Sequence, residues 1–282
     1  MNTNRLGLAS VLAFASLLTP AARAISGCSP STLSGNYALQ FSGTSAPTVA
    51  VSIGGLAVPV AISQAAGVGA VNGGSSNVPA DGIVRLFLDG SGLLFGNASI
   101  SLYGTWLQGN ISGQYTVNQD CSASFTMSDP SGATGNFAGV VVGQGDTVLV
   151  LQTDKGTGVS GIFKRTRGFC QTSDLAGTFG IQYSGAAVGN GSPYSSVGIL
   201  TLDGQGNVSG AESRFSSGDT SQAASSGSIT VNPDCSVIVT LSSQGAAAQS
   251  LTFAGMLSFD NKQLLLVQSD AGMAATGTMT AQ

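Results

Sequence analysis

Gly113-Gln-Tyr115-Thr-Val117-Asn-Gln-Asp120-Cys121 returns downstream as Gly227-Ser-Ile229-Thr-Val231-Asn-Pro-Asp234-Cys235. Each copy alternates bulky and small residues like a strand and then enters an Asp-Cys turn. A repeat of this kind sets the architecture, so it is read before anything else. Working outward, Cys28-Ser-Pro-Ser-Thr-Leu33-Ser-Gly35-Asn-Tyr37 returns as Cys170-Gln-Thr-Ser-Asp-Leu175-Ala-Gly177-Thr-Phe179. Asp89-Gly-Ser-Gly92 returns as Asp203-Gly-Gln-Gly206, Phe137-Ala-Gly139 as Phe253-Ala-Gly255, and Gln152-Thr-Asp154 as Gln268-Ser-Asp270. The large change in spacing falls between Gly43 and Asp89, where the first copy holds an insertion at about 46–73. The expected organisation is a first module over 25–163, a linker over 164–168 and a second module over 169–282.

The second copy is the minimal unit and reads as strands throughout: 176–184, 195–203, 206–215, 227–232, 236–242, 249–258, 262–269 and 275–281. Asp203-Gly204, Gly218-Asp219, Pro233-Asp234, Gly245, Asp260-Asn261 and Gly272 separate them. Asp-Gly between alternating runs marks a tight hairpin, because its turn needs positive φ. No helical period stands out beyond the N-terminus. Eight short hairpin-linked strands per copy predict an all-β chain of two tandem antiparallel up-and-down β-barrels. Two-sheet β-sandwiches are the alternative.

Residues 1–24 read as a secretory signal: a charged start, an apolar run from about Leu6 to Leu18, and Ala22-Arg23-Ala24 as a small-x-small cleavage site. The expected location is therefore outside the cytoplasm, with no transmembrane span. Export makes Cys28, Cys121, Cys170 and Cys235 candidates for disulfides. Only pairing within a copy would have served an unduplicated ancestor, which predicts Cys28–Cys121 and Cys170–Cys235. The rival for Cys28 is a lipid anchor, since Ile25-Ser26-Gly27-Cys28 is similar to a bacterial lipobox.

Only 8% of residues are charged, the net charge is −4, and histidine is absent. These counts argue against nucleic acid as a partner. They exclude Ser-His-Asp and Cys-His catalysis and remove the commonest transition-metal ligand. Paired cysteines would also remove thiolate zinc sites. Each Asp-Gly-x-Gly turn has a single acid, too few for calcium. No cofactor is expected, and binding is favoured over turnover.

Four groups stand out as candidate ligand contacts. Gln152 with Asp154, and Gln268 with Asp270, lie at one end of an apolar strand face and would line a barrel mouth; the competing reading is a turn-opening Asp. Glu212 and Arg214 occupy positions where the first copy has Ala98 and Ile100. They share a strand face; inward they form a buried pair, outward a surface ion pair, and outward is the expectation. Tyr103 and Trp106, matched by Ser217 and Thr220, suit either sugar stacking or core packing, with core packing expected.

The insertion carries no charge. Val49, Val51 and Ile53 alternate with small residues, and after Gly54-Gly55 so do Leu56, Val58, Val60 and Ile62. That pattern predicts an apolar hairpin over 48–63 that covers its own barrel, the second module or another molecule.

The two Asp-Cys segments resemble a family of secreted bacterial repeats with a Gly-x-Tyr-x-Val-x-x-Asp-Cys signature, the second copy having Ile229 for Tyr. The strand rhythm is similar to calycin-like barrels, including the allene oxide cyclase type. That resemblance implies a barrel with a small apolar-ligand cavity and places no catalytic motif here. The sequence reading as a whole is an exported, non-enzymatic protein for binding, adhesion or envelope structure. An apolar-ligand carrier or isomerase-like barrel and a carbohydrate-binding module are the alternatives.

Overall fold

The computed structural model describes residues 27–45, 78–188, 191–216, 218–243 and 250–282. The signal segment and the insertion residues Val49, Val51, Ile53, Leu56, Val58, Val60 and Ile62 lie outside the described residues. The first module contains β1 (Gly35–Ser45), β2 (Val78–Leu88), β3 (Leu93–Leu102), β4 (Thr105–Val117), β5 (Ser122–Ser128), β6 (Thr134–Val142), β7 (Thr147–Gln152) and β8 (Gly158–Arg165). The second contains β9 (Gly177–Ala187), β10 (Pro193–Leu202), β11 (Asn207–Ser216), β12 (Asp219–Val231), β13 (Ser236–Ser243), β14 (Ser250–Leu257), β15 (Gln263–Gln268) and β16 (Met273–Ala281). Each set pairs antiparallel in chain order and closes on itself, β1 on β8 and β9 on β16. Two up-and-down barrels result, and the sandwich alternative falls away.

Alternation sets the inside of each barrel. Along β13, Val237, Val239 and Leu241 are buried while Ile238 faces out. Along β1, Tyr37, Leu39 and Phe41 enter the first core. The chain differs from its sequence reading at β12, which starts at Asp219 rather than 227, because Gly218 turns the hairpin with φ 95°.

One end of each barrel is plugged in the same way. Short 3₁₀ turns, Pro30–Leu33 and Thr172–Leu175, drop Leu33 and Leu175 into the cores with no exposed surface. Beside them lie the disulfides Cys28–Cys121 and Cys170–Cys235. The Cys28 sulfur is thus bonded to Cys121, which corrects the lipid-anchor alternative. The repeated motif now has a physical reading. A Cβ on Gly113 would sit 1.9 Å from the Thr126 carbonyl oxygen, and one on Gly227 1.9 Å from that of Thr240, so only glycine fits. Asp120 accepts from the Ser122 amide at 2.9 Å and Asp234 from the Ser236 amide at 3.1 Å, fixing the turn that presents each cysteine.

The barrels pack side by side. The outer face of β1 and β2 lies against β14, β15 and β16, placing Ala38 and Ile83 of the first barrel in the second barrel's hydrophobic cluster. Gln40 Nε2 donates to the Leu266 carbonyl at 2.7 Å and to the Gly277 carbonyl at 2.8 Å. Ser101 Oγ donates to the Met273 carbonyl at 3.1 Å. The Gly272 amide donates to the Gly104 carbonyl at 3.0 Å, a close approach of two turns. The expected linker is shorter than 164–168. Lys164 and Arg165 belong to β8, and Arg165 stacks over the Tyr37 ring at 4.9 Å while its Nε donates to Asp146 at 3.1 Å.

Candidate functional site

Two places gather polar side chains: the unplugged end of the second barrel, and a cleft between the barrels.

In the second barrel, Glu212 follows the inward register of Val208 on β11 and is 2% exposed. The outward expectation for Glu212 and Arg214 is therefore corrected. Glu212 Oε2 accepts from Ser196 Oγ at 2.7 Å and Tyr183 Oη at 3.1 Å, and its carboxylate accepts from Arg214 Nε and Nη2 at 3.3 Å. Burial pushes this carboxyl up, but bonds from Arg214, Ser225 and Ser196 with the Arg214 charge outweigh it and hold Glu212 below its ordinary range. Burial drives the Tyr183 phenol above its ordinary value, as does the Glu212 charge. The cluster is a satisfied ion pair with no group set to exchange protons near neutrality. Sequence reasoning missed Tyr183, Tyr194, Ser196 and Ser225. The signal was present, since their first-copy counterparts Phe41, Ala80, Gly82 and Ile111 carry no hydroxyl.

Gln268 and Asp270 join the same end. Tyr194 Oη donates to Gln268 Oε1, Gln268 Nε2 donates to Asp270 at 2.8 Å, and Asp270 accepts from the Thr252 amide at 2.8 Å. The first barrel repeats this lock: Gln152 Nε2 donates to Asp154 at 2.8 Å, and Asp154 accepts from the Asn136 amide at 2.8 Å. Both pairs tie a turn to the neighbouring strand, so shared chemistry here serves the shared fold.

The cleft lies between the outer faces of β2–β4 and of β13–β14 and measures about 620 Å³. Its first-barrel wall is a ladder of cross-strand pairs, Asn97 with Asn110, Ser99 with Gln108, and Ser101 with Trp106. Opposite stand Asn232, Ser236 and Thr252. Arg85 and Asp234 form an ion pair across it, joining the barrels. Asn97 and Asn110 are exposed, and among the described residues neither amide is hydrogen-bonded to the protein. Trp106 points out of its own barrel, half-buried against the second, and lines the cleft. Tyr103 sits in the β3–β4 turn at φ 49°, half-buried on the first core. Tyr103 thus packs on its own barrel's core, while Trp106 packs on the core of the other barrel and reaches the cleft.

Asp81, unremarked in the sequence, faces outward from β2 into the barrel–barrel contact. It is 6% exposed, and among the described residues no hydrogen bond or ion pair reaches it. Burial alone raises it to about 7. Among the described residues, no three acids or cysteines cluster as metal ligands, and no helix is long and apolar enough to cross a membrane.

No family model matches the chain. No curated protein matches it either. Among solved structures, the isotype 1 transferrin binding protein B of serogroup B Neisseria meningitidis aligns over 88% of this chain and 76% of that one, at 9% identity and a TM-score of 0.30.

Proposed function

We propose that this chain is an exported binding protein that takes a neutral, hydroxyl-rich ligand, a glycan, in the cleft between its barrels. The ladder on β3 and β4 carries the reading. Trp106, Gln108 and Asn110 share one outward strand face, spanning about 14 Å at the usual rise per residue. An aromatic plate followed by amides suits a sugar chain, which offers an apolar ring face and many hydroxyls. The internal duplicate is a control. At the positions of Trp106, Asn110 and Asn97 the second copy has Thr220, Ala224 and Ala211, so the fold does not need the ladder.

Other ligand classes fit less well. Among the described residues that line the cleft, Arg85 is the one cation, and Asp234 engages it, so the cleft suits phosphates poorly. Closed barrels present no strand edge, so a peptide cannot add by backbone pairing. The engagement of the Glu212 carboxylate by Arg214, Ser196 and Tyr183 supports a binding role.

Trp106 is the only tryptophan in the chain, so intrinsic fluorescence reports on the cleft directly. Titration with neutral oligosaccharides is expected to shift its emission, and calorimetry to lose the binding in Trp106→Ala and Asn110→Ala. A broad panel of neutral glycans giving neither signal would sink the proposal.

A second reading has its own observation. Ile100, Leu107, Ile111 and Phe137 are half-buried at the unplugged end of the first barrel, where the second barrel is polar. That apolar mouth suits a small apolar ligand. Saturable binding of an apolar dye, lost in Leu107→Asp, would support it.

A further inference from the structure

The contact between the two barrels is heterologous: β1–β2 of the first meets β14–β16 of the second. Because the barrels are copies, each surface has a counterpart on the other barrel. The second barrel carries its own version of the β1–β2 face, on β9–β10. The first carries its own version of the β14–β16 face, on β6–β8. Among the described residues, neither counterpart forms a barrel–barrel contact.

Both unused faces keep their apolar residues. Inside the chain, Met256, Leu265 and Val267 are 3%, 2% and 0% exposed. Their equivalents Val140, Leu149 and Leu151 are 51%, 50% and 55% exposed. On the other surface, Ile83 is 6% exposed while its equivalent Val197 is 59% exposed. Beside it, Ile199 is 54% exposed and replaces Arg85. Most exposed large apolar residues of an outer barrel wall need no explanation singly. Here they fall on two faces whose duplicates pack against each other within the molecule.

The polar details also carry over. Gln40 bonds the carbonyls of Leu266 and Gly277, which pair across β15 and β16. Its counterpart Gln182 is exposed on β9, and Val150 and Gly161 pair in the same way across β7 and β8. The residue matching the buried acid Asp81 is Ser195, so the unused face lacks the one charged group that opposes burial in the used one.

We infer that the chain associates head to tail with further copies of itself, the β9–β10 face of one molecule docking on the β6–β8 face of the next. The joint repeats the packing between the chain's own two barrels. Val197 and Ile199 cover Leu149 and Leu151 of the neighbour, and Gln182 donates to the neighbour's Val150 and Gly161 carbonyls. A heterologous joint of this kind propagates: it closes into a ring or extends as a helical filament. The occupant of both patches is then a second copy of this chain, by continuity with the interface already present within it.

The test uses the exported chain and two variants, Leu149→Asp, which disables one face, and Val197→Asp, which disables the other. Both sites are exposed, and circular dichroism with thermal melting verifies that each variant folds. Sedimentation velocity of the wild type is expected to show mass rising with concentration, or a discrete ring. Each variant alone is expected to stay a single chain. Their equimolar mixture keeps one working joint and is expected to give a species of two chains. Gln182→Ala leaves the apolar contact intact and is expected to weaken association roughly fivefold, as for loss of ordinary hydrogen bonds. A wild type that stays a single chain at high micromolar concentration would overturn the inference. So would single variants that assemble like the wild type, or a mixture no larger than either variant, because a symmetric face-to-face contact gives those results.

Discussion

Tyr183 donates its hydroxyl to Glu212 at 3.1 Å inside the second barrel, at positions held by Phe41 and Ala98 in the first. One fold therefore tolerates both an apolar and an ionic filling at the same place. The ionic one is all-or-nothing, because removing one partner leaves the other charge buried. Glu212→Ala, which strands Arg214, is expected to cost about 3–5 kcal/mol, and Arg214→Ile, which strands Glu212, a similar amount. Glu212→Ala combined with Arg214→Ile, the first copy's arrangement at position 98 and 100, is expected to cost clearly less than the two single changes added together. Urea unfolding of the four proteins measures this. The folded Glu212 carboxyl lies below its unfolded value, so its contribution is full above about pH 4.5 and is lost as pH falls further.

The opposite sign holds for Asp81. Its folded carboxyl sits at about 7 against an ordinary 3.8. Below the lower value both states are protonated and the acid is harmless. Between about 4 and 7 the unfolded chain ionises and the folded chain does not, so stability falls as pH rises; above 7 the penalty is constant. Its ceiling is about 4 kcal/mol. Asp81→Asn is therefore expected to stabilise the protein at pH 8 and to change little at pH 3.5. Thermal melts across that range test it, and equal shifts at both pH values would contradict the assignment.

The disulfide Cys170–Cys235 joins residues 65 apart in sequence beside the buried Leu175 plug. Chain-entropy arguments give such a closure about 4 kcal/mol. Replacing both cysteines with Ala is expected to unfold the second barrel first, seen as early amide exchange in β9 and β13 while β1–β8 stay protected.

What the sequence disclosed follows from which physics is local. Turn chemistry and period-2 alternation act over a few residues, so Asp203-Gly204 and the Val237–Leu241 run announced hairpins and an inside. Duplication then paired the cysteines. Which face of a strand points in is also periodic, yet for β11 the pattern failed: Ala211 and Ser213 on one face and Glu212 and Arg214 on the other give no hydrophobic contrast. Only Val208, two steps upstream of Gly210, sets the register. The cleft was out of reach, because it exists where two barrels meet. Ile83, Trp106 and Asp81 are outward residues whose surroundings come from the other copy. Trp106 was noticed for its chemistry, but that it packs against the other barrel's core was not legible for that reason.

The Arg85–Asp234 pair gives the sharpest measure of how the cleft is held. Both side chains remain about two-fifths exposed, at 40% and 42%, so solvent screens the attraction. Asp234 is independently fixed by the Ser236 amide at 3.1 Å and hydroxyl at 2.7 Å, and burial offset by those bonds and Arg85 holds it below the usual carboxylate range. The pair is thus a positioned contact of small energetic weight. A double-mutant cycle with Arg85→Ala and Asp234→Ala is expected to give a coupling under about 1 kcal/mol that shrinks toward zero in molar salt. The barrels stay joined in Arg85→Ala, since Gln40, Ile83 and Ala38 still hold them. What changes is the cleft wall, so glycan affinity is expected to fall in that variant with no loss of thermal stability. A coupling above 2 kcal/mol that resists salt would instead make the pair part of the barrel–barrel core, and the cleft a by-product of that contact.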